Sequence, residues 1–157
     1  MKLKFDANQQ FQKDAVNAVL DIFEGQGKNG YVHVASSHDL LGIYPNQLTL
    51  DQDTISQNVR KVQERQGMSG QEVVPEMDFS IEMETGTGKT YVYLRTILEL
   101  NRKYNFKKFI ILVPSVAIRE GVIKTLNITK EHFRALYDNT PYRFYEYISR
   151  NLSQVKA

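Results

Sequence analysis

The stretch 79–90 constrains this chain more than any other. It begins with an apolar segment, contains two closely spaced glycines, Gly86 and Gly88, and ends in Lys89 and Thr90, after which a helical pattern begins. Backbone N–H groups can surround a phosphate only where side chains leave room, and glycine provides that room. The start of the following helix adds unpaired N–H groups and a positive dipole end. The stretch therefore predicts a phosphate-binding loop between a strand and a helix.

The side chains of this loop have defined roles in the predicted site. Lys89 is long enough to reach the β- and γ-phosphates of a nucleotide, and the Thr90 hydroxyl is a candidate ligand for Mg²⁺, so both are predicted catalytic residues. The predicted nucleotide contacts are Thr85, Gly86, Thr87, Gly88, Lys89, Thr90 and Gln12. The usual pattern has Gly or Ala five residues before its last glycine, whereas this chain has Met83 there.

Gln12 lies near the start of the first predicted helix, well before the loop. Its amide has the donor and the acceptor that match the N7 and N6 edge of adenine, so it is a candidate for selecting ATP. A glutamine on a helix is otherwise nearly always a surface residue. With a phosphate loop in the same chain, both interpretations stay open.

Composition indicates a globular chain with an uneven distribution of charge. The chain lacks cysteine, which excludes a disulfide scaffold and a Cys-based zinc site and fits a reducing compartment. The longest apolar run, 109–113, is too short for a bilayer, and the first residues do not resemble a secretory signal. Residues 101–157 contain 11 Lys and Arg against 4 Asp and Glu, a balance of +7, and residues 1–100 contain 9 against 14, a balance of −5. The basic third favours either a polyanionic partner or a solvated lysine-rich surface.

Hydrophobic periodicity predicts the secondary structure. Helices are expected over 8–24, 54–66, 89–103, 116–126 and 129–137, with Gly25 and Asn105 ending the first and third and Asp53, Ser115 and Thr129 as N-caps. Strands are expected over 31–35, 73–83, 107–113 and 142–148. The alternation around the loop is a βαβ unit, which predicts an α/β fold of the P-loop NTPase type with a parallel sheet flanked by helices. Residues 26–77 are a predicted insertion between the first helix and the central strand.

The end of the predicted strand 107–113 is a second candidate site. Ligands of open α/β folds bind at the carboxyl ends of the strands. Pro114 and Ser115 close this strand, and Ser115 and Arg119 with nearby backbone N–H groups are predicted to hold a nucleic-acid phosphate. The alternative is an ordinary turn from a strand to a helix.

Hydrolysis of ATP needs a further acidic element, an apolar strand that ends in Asp and usually continues with Glu. No segment after Thr90 has this pattern. We therefore expect the chain to be an incomplete catalytic unit that is inactive by itself.

With these residues identified, the sequence resembles the amino-terminal part of the Res (restriction) subunit of type III restriction-modification enzymes, which are bacterial DNA-dependent ATPases of helicase superfamily 2. Gln12, the loop 83–90 and the segments 110–121 and 127–133 carry the resemblance, which runs over most of the chain. It implies that 1–157 is an incomplete first RecA-like helicase ATP-binding domain. The acidic motif, the second RecA-like domain and the nuclease domain of that family are absent from it.

The resemblance also implies a function for the whole enzyme. It implies ATP and Mg²⁺ as cofactors, double-stranded DNA and a modification (methyltransferase) subunit as partners, the bacterial cytoplasm as the location, no membrane association, and cleavage of foreign DNA as the outcome. It makes Gln12 the adenine contact and 113–115 the first DNA-backbone motif. The alternatives are another superfamily 2 DNA helicase, a phosphate-loop kinase, which would need neither Gln12 nor a basic third, and a nucleotide switch that does not hydrolyse ATP.

Overall fold

The computed structural model describes residues 5–28, 46–68 and 77–147 of the chain. These ranges contain four α-helices: α1 Gln10–Ile22, α2 Gln52–Arg65, α3 Lys89–Tyr104 and α4 Val116–Leu136. The helix α3 is central, because α1 packs against one side of it and α4 against another, while α2 packs against α1. No helix in the described ranges is both long and apolar enough to cross a membrane.

The contact between α1 and α3 places the first helix beside the loop that precedes α3. Val16 and Leu20 of α1 form one buried cluster with Val92, Leu100 and other residues of α3. The Tyr104 hydroxyl, at the end of α3, donates a hydrogen bond of 3.0 Å to the Leu20 carbonyl near the end of α1. Because the start of α1 also lies at the start of α3, the two helices run in the same general direction.

The contact between α3 and α4 is a second, more aromatic cluster. Tyr91 and Leu94 of α3 pack with Leu126 and Phe133 of α4, and Phe133 is only 2% exposed. The rings of Tyr91 and Phe133 are stacked with 5.2 Å between centroids. Aromatic pairs of this kind bury large areas in fixed geometry, so the first turn of α3 is tied directly to the second half of α4.

The helix α2 closes the carboxyl end of α1. Ile55 and Val59 pack against Ile22, and Ile55 has no exposed surface. The Asn58 side-chain amide donates to the Ile22 carbonyl at 3.1 Å and to the Glu24 carbonyl at 2.9 Å. The last carbonyls of a helix have no partner within the helix, so Asn58 supplies one.

The predicted parallel sheet is wrong for the described residues, which contain no strand. The predicted strand 107–113 contains neither strand nor helix, and Ile110 and Leu112 are 88% and 89% exposed instead of buried. The Asn46 side chain bonds the backbone at its start: its Oδ1 accepts from the Lys107 and Lys108 amides, and its Nδ2 donates to the Lys108 carbonyl. An apolar run shows that a segment tends to be buried, but a strand also requires a distant backbone partner, which a local pattern does not reveal.

The other predicted strands do not change this result. The segment 31–35 lies outside the described residues, as do residues 73–76 and 148 of two further segments. The described residues of those two segments, 77–83 and 142–147, are neither strand nor helix.

The predicted helices are confirmed, with two corrections. The cap of α2 is Asp51, whose carboxylate accepts from the Thr54 amide at 2.7 Å, and this bond lowers the pKa of Asp51; Asp53 lies in the first turn. The two helices predicted on either side of Asn127 are one continuous helix, α4. Thr129 does not cap a new helix, because its buried hydroxyl donates back to the Thr125 carbonyl at 2.7 Å, as threonines inside helices do.

Candidate functional site

The loop before α3 turns on two glycines in left-handed backbone conformations. Gly86 has φ of +83° and Gly88 has φ of +85°, values that side chains other than glycine adopt only at a cost. Gly88 is also the residue that precedes α3, and no side chain caps the helix there. A Cβ placed at Gly86 would meet nothing within 4 Å, so the loop has open space on that side.

The start of α3 differs in this respect from the starts of α2 and α4. Asp51 caps α2 and Ser115 caps α4, each through a side-chain oxygen that accepts a backbone N–H. The helix α1, which follows Gln9, also has no side-chain cap, but it has no glycine turn in front of it. Only α3, among the described helices, therefore combines an uncapped N-terminus with an open glycine turn.

Gln12 contacts this loop directly. Its side chain is 7% exposed, and its Nε2 donates a hydrogen bond of 2.9 Å to the Thr87 carbonyl. The Thr87 hydroxyl in turn donates to the Glu84 carbonyl at 2.7 Å, which closes the turn. A Cβ at Gly88 would lie 2.9 Å from the Gln12 Nε2, so this position must be glycine if the contact is to form. The Gln12 amide carries a second hydrogen that remains compatible with a ligand contact.

The side chains predicted to bind phosphate and metal follow at once. Lys89 is the first residue of α3 and is exposed, and Thr90, the second, is partly buried. The structure thus brings Gln12 and the whole predicted set from Thr85 to Thr90 to one place. Exposed N–H groups, an open turn and a solvated lysine fit a polyphosphate. Within the described ranges, no group of three or more His, Asp or Glu is arranged to hold a metal ion.

The second candidate site, at the start of α4, is engaged in internal contacts. Pro114 and Ser115 are exposed, but the Ser115 Oγ accepts from the Ile118 amide at 3.3 Å. Arg119 forms ion pairs with Glu146 at 2.6 Å and with Glu120 at 3.2 Å. Its Nε is buried and has no hydrogen-bond partner. The three predicted residues do lie together, but the Ser115 hydroxyl and the arginine are already occupied by the chain's own groups.

A hydrogen bond joins the first turn of α3 to the carboxyl-terminal part of α4. The Tyr91 hydroxyl lies 2.8 Å from the His132 Nε2, and both rings contact Phe5. Burial, helped by the positive charge of Arg95, lowers the pKa of His132. Tyr91 follows Thr90 directly, so α4 contacts the first turn of α3.

Sequence reasoning missed the Arg119–Glu146 pair, the Tyr91–His132 bond and the Gln12–Thr87 bond. The residues of the last two pairs are 41 and 75 positions apart in the sequence, and no local pattern indicates a contact at such separations. The cap at Asp51 had a local signal, because a carboxylate three residues before Thr54 is the spacing of an N-cap contact.

Comparison with known proteins places this sequence in a family. The family described as "Type III restriction enzyme, res subunit" matches residues 43–153. The EcoPI Res subunit of Escherichia phage P1 is 34% identical over 141 residues, which are 85% of this chain and 14% of the relative. The EcoP15I Res subunit of Escherichia coli is 31% identical over 137 residues, which are 84% of this chain and 14% of the relative.

A third relative matches a shorter part of the chain at higher identity. The StyLTI Res subunit of Salmonella typhimurium is 46% identical over 65 residues, which are 40% of this chain and 7% of the relative. The chain spans about a seventh of the length of the two relatives that match most of it.

Proposed function

Because this chain belongs to the family of the type III restriction enzyme Res subunit, we propose that it provides the ATP-binding part of a DNA-dependent ATPase and translocase in a type III restriction endonuclease. The observation that carries the proposal is the uncapped start of α3 behind the turn of Gly86 and Gly88. A helix end that is open to solvent and preceded by such a turn is suited to bind an anion with several phosphates.

In this proposal each part of the loop has one task. The backbone N–H groups of 86–90 donate to phosphate oxygens, and the Lys89 ammonium offsets their charge. The Thr90 hydroxyl ligates Mg²⁺, and the Gln12 amide reads the edge of adenine while it holds the Thr87 carbonyl. ATP supplies the energy that the whole enzyme uses on DNA. The carboxylate that hydrolysis needs belongs to another part of the subunit in this scheme, and the chain alone binds nucleotide without turning it over.

The start of α4 is the proposed DNA contact. Ser115 and Arg119 would hold a backbone phosphate of double-stranded DNA, beside Pro114, once the phosphate replaces Glu146 as the partner of Arg119. In this proposal the whole subunit works together with a modification subunit in the bacterial cytoplasm, where DNA and ATP are both present.

The first experiment replaces Lys89 by Ala in the whole protein. Loss of one charge-assisted contact to a triphosphate should cost about 1.5–3 kcal/mol of binding, and ATP-dependent DNA cleavage should disappear. Lys124→Ala is the matched control, because Lys124 is an exposed lysine of α4 away from the loop. ATP hydrolysis at the wild-type rate in Lys89→Ala would contradict the proposal.

The second experiment separates the two roles of Gln12. If Gln12 reads adenine, Gln12→Ala weakens ATP binding more than GTP binding, because the amide matches adenine and not guanine. If Gln12 only holds the Thr87 carbonyl, both nucleotides weaken equally. Titration of ATP and GTP against both proteins distinguishes these results, and equal weakening removes the adenine role.

A further inference from the structure

A cationic groove of about 550 Å³ lies between α1 and α3 and extends away from the loop before α3. Its lining includes five basic side chains, Lys13, Lys28, Arg95, Arg102 and Lys103, and one carboxylate, Glu99. Five positive charges against one negative charge give the groove a balance of +4, in a chain whose whole balance is +2. Positive charge is therefore concentrated along α1 and α3 and at Lys28, which follows α1.

The single carboxylate of the groove is already satisfied. Glu99 is 7% exposed, pairs with Arg102 at 2.6 Å and accepts a hydrogen bond of 2.9 Å from the Tyr137 hydroxyl. Burial and the charge of Glu99 together raise the pKa of Tyr137, so this hydroxyl stays protonated as the donor. The carboxylate is thus held inside the structure and leaves the other cations unpaired.

The three lysines of the groove are available to a ligand. Lys13, Lys28 and Lys103 form no ion pair within the ranges that the structure describes. Arg95 donates through Nη1 to the Ala7 carbonyl at 2.7 Å, while its Nε is buried and has no hydrogen-bond partner. The groove therefore presents the unneutralised charge of three lysines, while Arg95 is held by internal contacts.

The spacing of the cations along α3 favours an extended ligand. Arg95 and Lys103 lie eight residues apart on α3, which corresponds to about 12 Å along the helix. The apolar lining residues Val16 and Leu20 are only 3% and 6% exposed, so a ligand meets charges and the Asn17 amide rather than apolar side chains. A row of cations without an apolar anchor suits a regularly charged backbone better than a protein segment, which also needs apolar contacts.

We propose that this groove binds the phosphate backbone of nucleic acid, at a site separate from the loop 84–88 and from the start of α4. The groove and its charge are observed independently of the proposed function. The choice of nucleic acid rather than an acidic protein as the ligand rests in part on that function. Double-stranded DNA carries one negative charge per about 1.7 Å of its axis, so several phosphates span the groove at once. This contact does not depend on base sequence. It involves α3, the helix that follows the proposed nucleotide loop.

The test measures how salt weakens DNA binding to the whole protein. The groove variant carries Lys13→Gln, Lys28→Gln and Lys103→Gln, and the probe is a short fluorescent DNA duplex of random sequence. Each lost phosphate contact lowers the slope of log affinity against log salt by about 0.9, so the slope should fall by about 2–3 and the affinity at low salt by about tenfold or more. The matched control carries Lys61→Gln, Lys124→Gln and Lys130→Gln, which remove equal charge from exposed positions of α2 and α4.

Asn17→Lys provides the opposite change, because it adds one cation to the lining of the groove. It should increase the slope of log affinity against log salt by about 0.9, the value expected for one added phosphate contact. This result does not depend on whether the triple variant is fully stable. Thermal unfolding of each variant identifies any that fail to fold.

Three results would overturn the proposal: equal loss of DNA affinity in the groove variant and its control, no loss in either, or an unchanged slope in Asn17→Lys. Loss of polyglutamate binding without loss of DNA binding would assign the groove to an acidic protein segment and would also overturn it. A fluorescent ATP analogue, titrated in parallel, keeps this test apart from the proposed function. The groove variant should bind the analogue like wild type, whereas failure of the nucleotide site would appear as unchanged analogue binding in Lys89→Ala.

Discussion

The starts of α3 and α4 are built alike, but a side chain caps α4 and no side chain caps α3. Each helix begins directly after a short non-helical turn, and each start contains predicted phosphate ligands. At α4 the Ser115 oxygen caps the helix and Arg119 pairs with two glutamates. At α3 a glycine in a left-handed conformation occupies the cap position, and Lys89 is exposed.

The difference contrasts a helix start that is stabilised by its own side chain with one that is open to a ligand. A side-chain cap stabilises a helix end by satisfying its N–H groups, and the same bond makes one of those groups unavailable to a ligand. The start of α3 gives up this stabilisation and leaves its donors to a ligand, whereas the start of α4 keeps it. A phosphate at α4 must displace an internal partner, while a phosphate at α3 need not.

The largest expected effect comes from replacing Gly88 by Ala. A left-handed residue other than glycine costs about 1–2 kcal/mol, and the new Cβ would also force the Gln12 amide away from Thr87 and lose a hydrogen bond worth about 0.5–1.5 kcal/mol. Urea unfolding should therefore show a loss of about 1.5–3.5 kcal/mol, and nucleotide affinity should fall with it.

Gly86→Ala is the matched control for this change, because its φ is nearly equal and its Cβ meets nothing within 4 Å. It should show only the backbone cost of about 1–2 kcal/mol. Equal losses in the two variants would mean that the Gln12 contact contributes nothing to the loop.

Removing the cap of α4 should have a smaller effect on stability and should leave nucleotide binding unchanged, although it also removes a proposed DNA contact. Ser115→Ala should lower the free energy of unfolding by about 1 kcal/mol, since it deletes the side-chain acceptor that caps this helix. Nucleotide affinity should stay unchanged, because the loop before α3 is untouched. Calorimetry and an ATP titration of the same sample check both parts, and a drop in ATP affinity would show that the two helix starts are not independent.

Releasing Arg119 should raise DNA affinity modestly. Glu146→Gln removes the charge that lies 2.6 Å from the arginine, and partly exposed pairs of this kind are worth about 0.2–1 kcal/mol, so binding should tighten by up to about fivefold. Glu120→Gln is the control, because its contact is longer, at 3.2 Å, and its side chain is 62% exposed. Weaker DNA binding in Glu146→Gln would remove Arg119 from the proposed contact.

The smallest expected effect concerns pH and the bond that joins the two helices. The pKa of His132 is lowered below its ordinary value of 6.5, so the folded protein binds this proton less tightly than the unfolded chain does. The free energy of unfolding must then fall as pH drops from about 6.5 towards the lower folded-state value.

His132→Gln should remove this part of the acid sensitivity, measured by urea unfolding at about pH 7.5 and about pH 5.5. Tyr91→Phe deletes the hydrogen bond but should keep most of the sensitivity, because burial is the main cause of the shift. Identical pH dependence in wild type and His132→Gln would contradict this assignment.

Structural features that depend on neighbouring residues could be predicted from the sequence, whereas contacts between distant residues could not. The start of α3 at Lys89 and its end at Asn105, which has φ of +59°, follow from the glycine turn and from a residue that tolerates the left-handed conformation. The family resemblance was confirmed as well, because its motifs are local strings. The segment 107–113 was predicted incorrectly, since its apolar character is local but the partner of a strand is not.

The candidate site divides in the same way. The set from Thr85 to Thr90 was predicted from its spacing, and the structure places it beside Gln12, while its role in binding phosphate stays a prediction. That Gln12 holds the Thr87 carbonyl, and that Glu146 holds Arg119, depends on how distant segments pack. Their roles in binding adenine and DNA stay predictions.

Hydrogen exchange of the whole protein, with and without ATP and Mg²⁺, tests the contrast between the two helix starts most directly. Backbone amides become protected when a ligand occupies them. Nucleotide should slow exchange strongly in 86–91 and leave 115–119 nearly unchanged, and Lys89→Ala should abolish the protection. Protection that appears at 115–119 while 86–91 exchange as before would contradict the assignment of the nucleotide site to the start of α3.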